Sequence, residues 1–370
     1  MGYLDLHRKA FDDGTLCKLE IFEAYIQAWL PTFIMQNEKS ICIFDLFAGP
    51  GYDKEAIEGS PIRILKQVKA QTGNIFQKDI RICIWLNEYK QDKYVDLKST
   101  CKNYIQSNSE LKRLYECDKL HIKYTNEDID KIFPEIINII NRYPSLVLLD
   151  QNGVKFISDD YFLPLVKAKR TDFLFYVASS FIRRFATQKE FKRNLSFDLS
   201  QSKEGLPTDI HRWVVKQMQK RIPYESKAKL YPFSIKKGTN VYGIIFGANH
   251  PFAVDKFLTV VWNKNAINGE ANFDIDSDLQ KSQIDLFSGK QLNKIEKFQI
   301  GLEEAILSGK IVDNKTAYLY TIEHGHISKH ADEKIKQLKK NGKIKYEGKS
   351  PKCNYVQVFR NKTVVKFQVL

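Results

Sequence analysis

The run Phe44-Asp45-Leu46-Phe47-Ala48-Gly49-Pro50-Gly51 puts a carboxylate at the end of an apolar stretch and two glycines just after it. Glycine lets a backbone turn tightly and approach a ligand where a Cβ would collide. Asp45, Phe47, Gly49 and Gly51 are therefore the first candidates for holding a small molecule. Glu88 closes the next apolar stretch as Leu-Asn-Glu, where a carboxylate can accept from both ribose hydroxyls of an adenosine cofactor. A Glu opening a surface helix would have the same sequence. Asp45 and Glu88 lie 43 residues apart, against the usual separation of about twenty from glycine loop to acid. The surplus is expected in residues 52–60 and 71–78. Asp128, in Asn126-Glu127-Asp128, suits either an adenine contact or a helix N-cap. Asp150 and Asn152, in Asp150-Gln151-Asn152-Gly153, end another apolar run. Asp150 there can serve as acceptor or general base, or simply build an Asp-x-Asn-Gly turn.

The elements that must position these residues follow from periodicity. Residues 15–37 carry Leu19, Phe22, Tyr25, Ile26 and Trp29 at helical spacing, with Pro31 expected to end or kink the helix. Near-continuous apolar runs at 41–47, 82–86, 120–124, 146–149 and 173–178 read as strands buried on both faces of a parallel sheet. Helical patterns such as 61–69 and 89–104 separate them, which is the doubly wound α/β arrangement. The runs 230–235 and 241–248 are joined only by Lys-Lys-Gly-Thr-Asn, too short for a parallel crossover, so they predict an antiparallel hairpin.

Residues 253–264 read as a last helix of this first domain, 1–265, which carries a helical insertion at 180–229. A polar linker is expected at 266–290. Residues 291–370 then show three helices, at 294–308, 315–323 and 328–341. Gly309, Gly325 and Gly342 stand where C-cap glycines belong, and strands are expected near 343–346 and 355–370. That order predicts a winged helix-turn-helix.

The formal charge of +14 is concentrated. Residues 161–240 hold 17 Lys/Arg against 6 Asp/Glu, and residues 311–370 hold 13 against 5. Two basic blocks on an otherwise acidic chain fit a polyanion, most economically DNA or RNA. The candidates are Arg183 and Arg184 after the fifth strand, Arg212, Lys216 and Lys220 at four-residue spacing, and Lys336 and Lys340 in the last helix. No apolar run approaches membrane-spanning length, and the first fifteen residues lack a secretory pattern, so a cytoplasmic protein is expected. Six scattered cysteines show no C-x-x-C or His-paired spacing, so no metal site is expected.

Five parallel strands closed by a hairpin resemble the seven-strand Rossmann-like fold of class I S-adenosylmethionine-dependent methyltransferases. Asp45–Gly51 resembles their D-x-F-x-G-x-G loop against the methionine half of S-adenosyl-L-methionine. More closely, the chain resembles the three-Cys-motif partner (TcmP) family over nearly its whole length. The matching segments are 45–51 with Gly59-Ser60-Pro61, Asn87-Glu88, 150–158 (DQNGVKFIS), 171–185 (TDFLFYVASSFIRRF), 246–251, 269–276 (GEANFDID) and His330. The resemblance implies a methyltransferase-like protein of bacterial or phage origin. It also implies a three-cysteine radical-SAM-like protein as a partner, and a setting in phage defence or phage DNA/RNA modification. Amino-methyltransferases carry D-P-P-Y or N-P-P-Y at the fourth site, and many relatives carry D-P-F-G. DQNG departs from both and leaves the methyl acceptor open. A non-catalytic nucleic-acid-binding partner is the alternative reading.

Overall fold

A computed structural model describes residues 10–150, 155–178, 210–237, 240–281 and 291–370. Two compact units divide the chain, Met1–His250 and Pro251–Leu370. The first is built on a seven-stranded sheet. Its strands are β1 (Ser40–Asp45), β2 (Arg81–Asn87), β3 (Leu120–Thr125), β4 (Ser145–Leu149), β5 (Thr171–Val177), β6 (Lys229–Lys237) and β7 (Asn240–Ala248). The order is β3-β2-β1-β4-β5-β7-β6. β1 to β5 run parallel, while β7 is antiparallel to both β5 and β6. This is the sheet expected from the apolar runs and the short hairpin connection, and it is the class I methyltransferase arrangement.

Burial explains why the strands read as continuous apolar runs. All five residues of β4 are buried, so neither face can carry polar side chains. One face holds Phe44, Val147, Leu149, Phe173 and Phe175 against α6 (Ile129–Ile140), α7 (Asp159–Lys167) and α8 (Ile210–Arg221). The alternate face meets α1 (Asp13–Ile34): Tyr25 packs edge-on to Phe246 at 5.0 Å and donates to Asp172 at 2.7 Å. Burial, opposed by the Tyr25 hydrogen bond, pushes the Asp172 carboxyl up to about 7.

Pro31 does not end α1. The helix continues to Ile34 because Leu30 and Ile34 are both fully buried, and Met35 N still donates to Pro31 O at 3.0 Å. A proline so near the C-terminus removes little from the ladder. The surplus between Asp45 and Glu88 falls in the anticipated places. One part is a small loop closed by a Tyr52–Glu58 bridge, the other is the helix α3 (Thr72–Gln77), which follows α2 (Ser60–Ala70). Of the insertion at 180–229, the part before Ile210 lies outside the described residues.

The second unit begins with α9 (Pro251–Lys264), a helix that the sequence pattern attaches to the first domain. Residues 266–274, expected as part of a linker, form turns held by polar side chains and lead into a short helical stretch at 275–281. Buried Asn268 donates to Asn272 O at 3.0 Å and Ile275 O at 3.1 Å, and Asn265 donates to Asn268 at 2.8 Å. The Asn/Asp richness that reads as a spacer here satisfies buried backbone. Then come α10 (Lys294–Leu307), α11 (Asn314–Glu323) and α12 (Ser328–Lys340), and the pair β8 (Ile344–Lys345) and β9 (Gln368–Val369). Gly309, Gly325 and Gly342 take φ of 74°, 75° and 68° after the three helices, as C-cap glycines do.

The long strand expected over 355–370 is mostly absent. Val356–Arg360 is a π-helical turn, and pairing is confined to Gln368–Val369 and an Asp313–Lys366 bridge. Asn314 diverts the chain, accepting from Val365 N at 3.0 Å and donating to Thr363 O at 2.9 Å.

His326 and His330 face each other through their Nδ1 atoms at 3.0 Å, with Phe298 stacked on His326 and Trp262 edge-on to His330. Burial, helped by Lys294, holds His326 at about 2 and His330 at about 4, below the ordinary 6.5. The unfolded chain therefore binds more protons between pH 6.5 and 4, so stability is full above 6.5 and falls as pH drops through that window. NMR titration of the imidazoles should show neither ring protonating above pH 5. A second expectation concerns the sheet. A Cβ on Gly247 would lie 2.1 Å from the Phe173 ring, so Gly247→Ala should cost about 1–3 kcal/mol by overpacking, read as a lower Tm by calorimetry.

Candidate functional site

β1 delivers Asp45 to its carboxyl end, and the chain then turns through Gly49 (φ 65°) and Gly51 (φ 100°). Ala48 N donates to Asn87 O at 3.0 Å, and Gly49 N donates to Glu88 Oε2 at 3.1 Å. Lys90 N donates to the other Glu88 oxygen at 2.8 Å. Each carboxylate oxygen has two lone pairs, so Glu88 can brace the loop and still accept from hydroxyls. Buried Asn87 extends the stitching to β3. Its Oδ1 accepts from Thr125 Oγ1 at 2.8 Å, and its Nδ2 donates to Glu127 O at 3.1 Å. Gly51 has a packing duty as well as a turn, because a Cβ there would sit 2.7 Å from Thr100 Cγ2 on α4 (Gln91–Gln106).

Asp45 is 1% exposed. Its Oδ1 accepts from Phe47 N at 3.3 Å, while its buried Oδ2 has no hydrogen-bond partner among the described residues. Burial raises its carboxyl to about 6, with Asp150 adding to the effect and Ser60, Phe47 N–H and Lys18 opposing it. Asp150, just beyond β4, is ion-paired with Lys18 of α1. The Lys18 side chain is 9% exposed and its ammonium lies 4.6 Å from the centre of the Tyr176 ring. Tyr176 stacks on Tyr242 at 6.1 Å, and burial, with Asp150 and Tyr242 adding, holds its phenol well above the ordinary range.

The folded chain thus brings Asp45, Glu88, Gly49 and Asp150 to the carboxyl ends of β1, β2 and β4. Lys18 is the residue that the sequence reading missed. The available signal was a lysine four residues before Phe22, inside the stripe of apolar positions that α1 buries.

The other candidates divide. Phe47 is half-buried and meets Phe156 edge-on at 5.3 Å. Asp128 is the N-cap of α6, accepting from Asp130 N at 3.0 Å, with Lys155 at 3.7 Å. Asn152, Arg183 and Arg184 lie outside the described residues. On α8, Lys216 and Lys220 are exposed and Arg212 is half-buried. On α12, Lys336 and Lys340 are exposed with no hydrogen bond or ion pair among the described residues, and Lys329 extends their row. Neighbouring lysines are already engaged. Lys334 and Lys343 both bind Glu303 (2.7 and 2.6 Å), and Lys339 donates to Tyr346 O and Gly348 O (2.8 and 2.9 Å). Among the described residues no cluster of three or more His, Cys, Asp or Glu could hold a metal ion, and no helix is long and apolar enough to cross a membrane.

Comparison with known proteins matches residues 274–351 to a family described as the GMT-like wHTH domain. This agrees with the three helices and wing seen there. Among solved structures, an O-methyltransferase from Bacillus cereus in complex with SAH is 11% identical, with a TM-score of 0.32, over 67% of this chain and 84% of that one. The O-methyltransferase TomG from Streptomyces achromogenes, in complex with SAM, is 10% identical, with a TM-score of 0.32, over 65% and 91%. No protein of curated function matches the chain. The fold assignment of the first unit rests on its strand order and directions.

Proposed function

We propose that the N-terminal unit binds S-adenosyl-L-methionine at the carboxyl ends of β1 and β2, and that the protein is a methyltransferase-like protein acting on nucleic acid. The observation that carries the cofactor reading is the Asp45 carboxylate beside the glycine turn, buried with an Oδ2 that no hydrogen bond of normal geometry reaches among the described residues. An acceptor left dry in a protein interior is costly, and a ligand ammonium supplied at that point removes the cost. In this reading Asp45 accepts from the α-ammonium of the cofactor. Glu88 accepts from its ribose hydroxyls, Phe47 and the Gly49 turn close over it, and Asp128 stands on the adenine side. When bound, the cofactor supplies an electrophilic methyl group on a sulfonium. Asp150, with Asn152 two residues on in the sequence, receives or orients the proton of the methyl acceptor.

The nucleic-acid part of the proposal rests on the exposed row Lys329, Lys336 and Lys340 of a winged-helix unit and on Lys216 and Lys220 of α8. Arg183, Arg184 and Arg212 complete the basic set. Phosphate contact by such residues positions a duplex or a single strand without selecting sequence. A role in phage defence or modification follows only from the resemblance to the three-Cys-motif partner family. The second reading, a non-catalytic partner of a three-cysteine radical-SAM-like protein, is favoured by the ion pair that ties Asp150 to Lys18.

Isothermal calorimetry should detect S-adenosylhomocysteine binding that Gly49→Arg abolishes and Glu88→Ala weakens at least tenfold. Equal affinity in wild type and Gly49→Arg would remove the cofactor from this cleft. Because Asp45 must be ionised to accept an ammonium, affinity should rise from pH 5 to pH 7 and level off above its folded value of about 6. Fluorescence anisotropy on DNA and RNA should show log K falling steeply with log salt. The Lys336→Ala/Lys340→Ala variant should flatten that slope by about one unit per lost phosphate contact.

A further inference from the structure

We propose that Lys18 reads the carboxylate of the bound cofactor in competition with Asp150, so that an occupied cleft loosens Asp150 for its own role. The proposal rests on the cofactor reading above and assigns its anionic end to a residue outside the glycine loop.

A lysine at 7% exposure is retained only if its charge is compensated. Here the compensation is the Asp150 carboxylate and the face of Tyr176. An ammonium carries three N–H donors, and the hydrogen bond to Asp150 uses one. Lys18 opposes the upward shift of the Asp45 carboxyl, as the Ser60 hydroxyl does, and among the described residues no hydrogen bond of normal geometry reaches Asp45 Oδ2. The cleft therefore holds a buried acceptor and, within electrostatic reach of it, a cation with two further N–H donors. An α-amino acid zwitterion has the complementary pair. Its ammonium matches Asp45 and its carboxylate matches Lys18. A neutral thioether ligand without the amino-acid end matches neither.

The consequence for Asp150 follows from charge. Shared between two carboxylates, Lys18 binds each less tightly than it binds one. Asp150 is then held less firmly by Lys18 when the cofactor is present than when it is absent. The site would thus order its events, with cofactor first and methyl acceptor second.

Calorimetry with two probes tests this on the full chain: S-adenosylhomocysteine, and methylthioadenosine, which lacks the amino-acid end. Lys18→Met should weaken S-adenosylhomocysteine ten- to a hundredfold and leave methylthioadenosine within twofold of wild type. Asp150→Asn, which releases Lys18 from its competitor, should tighten S-adenosylhomocysteine severalfold, again without moving methylthioadenosine. The double variant, which removes both charges and leaves no unpaired one, keeps the test open should Lys18→Met fail to fold. It should show the S-adenosylhomocysteine loss alone. Equal loss of both ligands in Lys18→Met, no loss of either, or weaker S-adenosylhomocysteine binding in Asp150→Asn would overturn the assignment. Failure of wild type to bind either ligand would instead overturn the cofactor reading on which it stands.

Discussion

A sheet buried on both faces leaves polar chemistry few exits, and in this protein the exits are the strand ends. β4 is buried along its whole length and β1 along all but its first residue, so neither can carry a solvated group within the sheet. Asp45, Asn87 and Asp150 stand at or just past the carboxyl ends of their strands for that reason. The same geometry brings the peptide N–H groups of the glycine turn to Glu88. The positions of Asp45, Glu88 and Asp150 are a consequence of where the parallel strands stop.

At those ends the protein holds charges that it could have avoided. Asp45 is nearly inaccessible and its carboxyl sits at about 6, with one oxygen unpartnered. Lys18 is almost as deeply placed and is compensated by Asp150. Apolar residues in these positions would cost the fold less. The Asp45 carboxylate, left without a hydrogen bond of normal geometry on Oδ2 among the described residues, contrasts with Asp172. That carboxyl is just as buried but is satisfied by Tyr25, on a strand interior where nothing needs to enter.

The C-terminal unit divides its lysines by a similar economy. Lys334, Lys339 and Lys343 are committed to Glu303 and to wing carbonyls, and so hold helix and wing together. Lys336 and Lys340 face outward on one helix without an ion pair among the described residues, while Lys329 in the same row pairs with Glu333 at 4.0 Å. His330, on the buried face of that helix, meets His326 and the ring of Trp262, with Gly269 (φ 66°) leaving room for the indole. The stretch GEANFDID thus has a structural duty, in which Glu270 meets Lys294 at 3.2 Å and Asn272 O accepts from the preceding Asn268 at 3.0 Å.

Much of this was legible in the amino-acid order. Apolar runs located every strand of the sheet, the short Lys-Lys-Gly-Thr-Asn connection required the hairpin, and three glycines marked three helix ends. These features are written in neighbouring residues, since period, turn length and left-handed φ are local properties. The D-x-F-x-G-x-G pattern and Glu88 likewise placed these residues at strand ends, where the structure has them. What the order of residues left open depends on partners distant along the chain. Lys18 and Asp150 are 132 positions apart, and only the fold makes one the counterion of the other. Pro31 stays helical because Ile34 is buried, and Gly51 is fixed by Thr100. The Asn-rich stretch after α9 is a bonded turn because its backbone is covered. Which lysines remain available to a polyanion was decided last, by which carboxylates and carbonyls the folded unit had already placed within their reach.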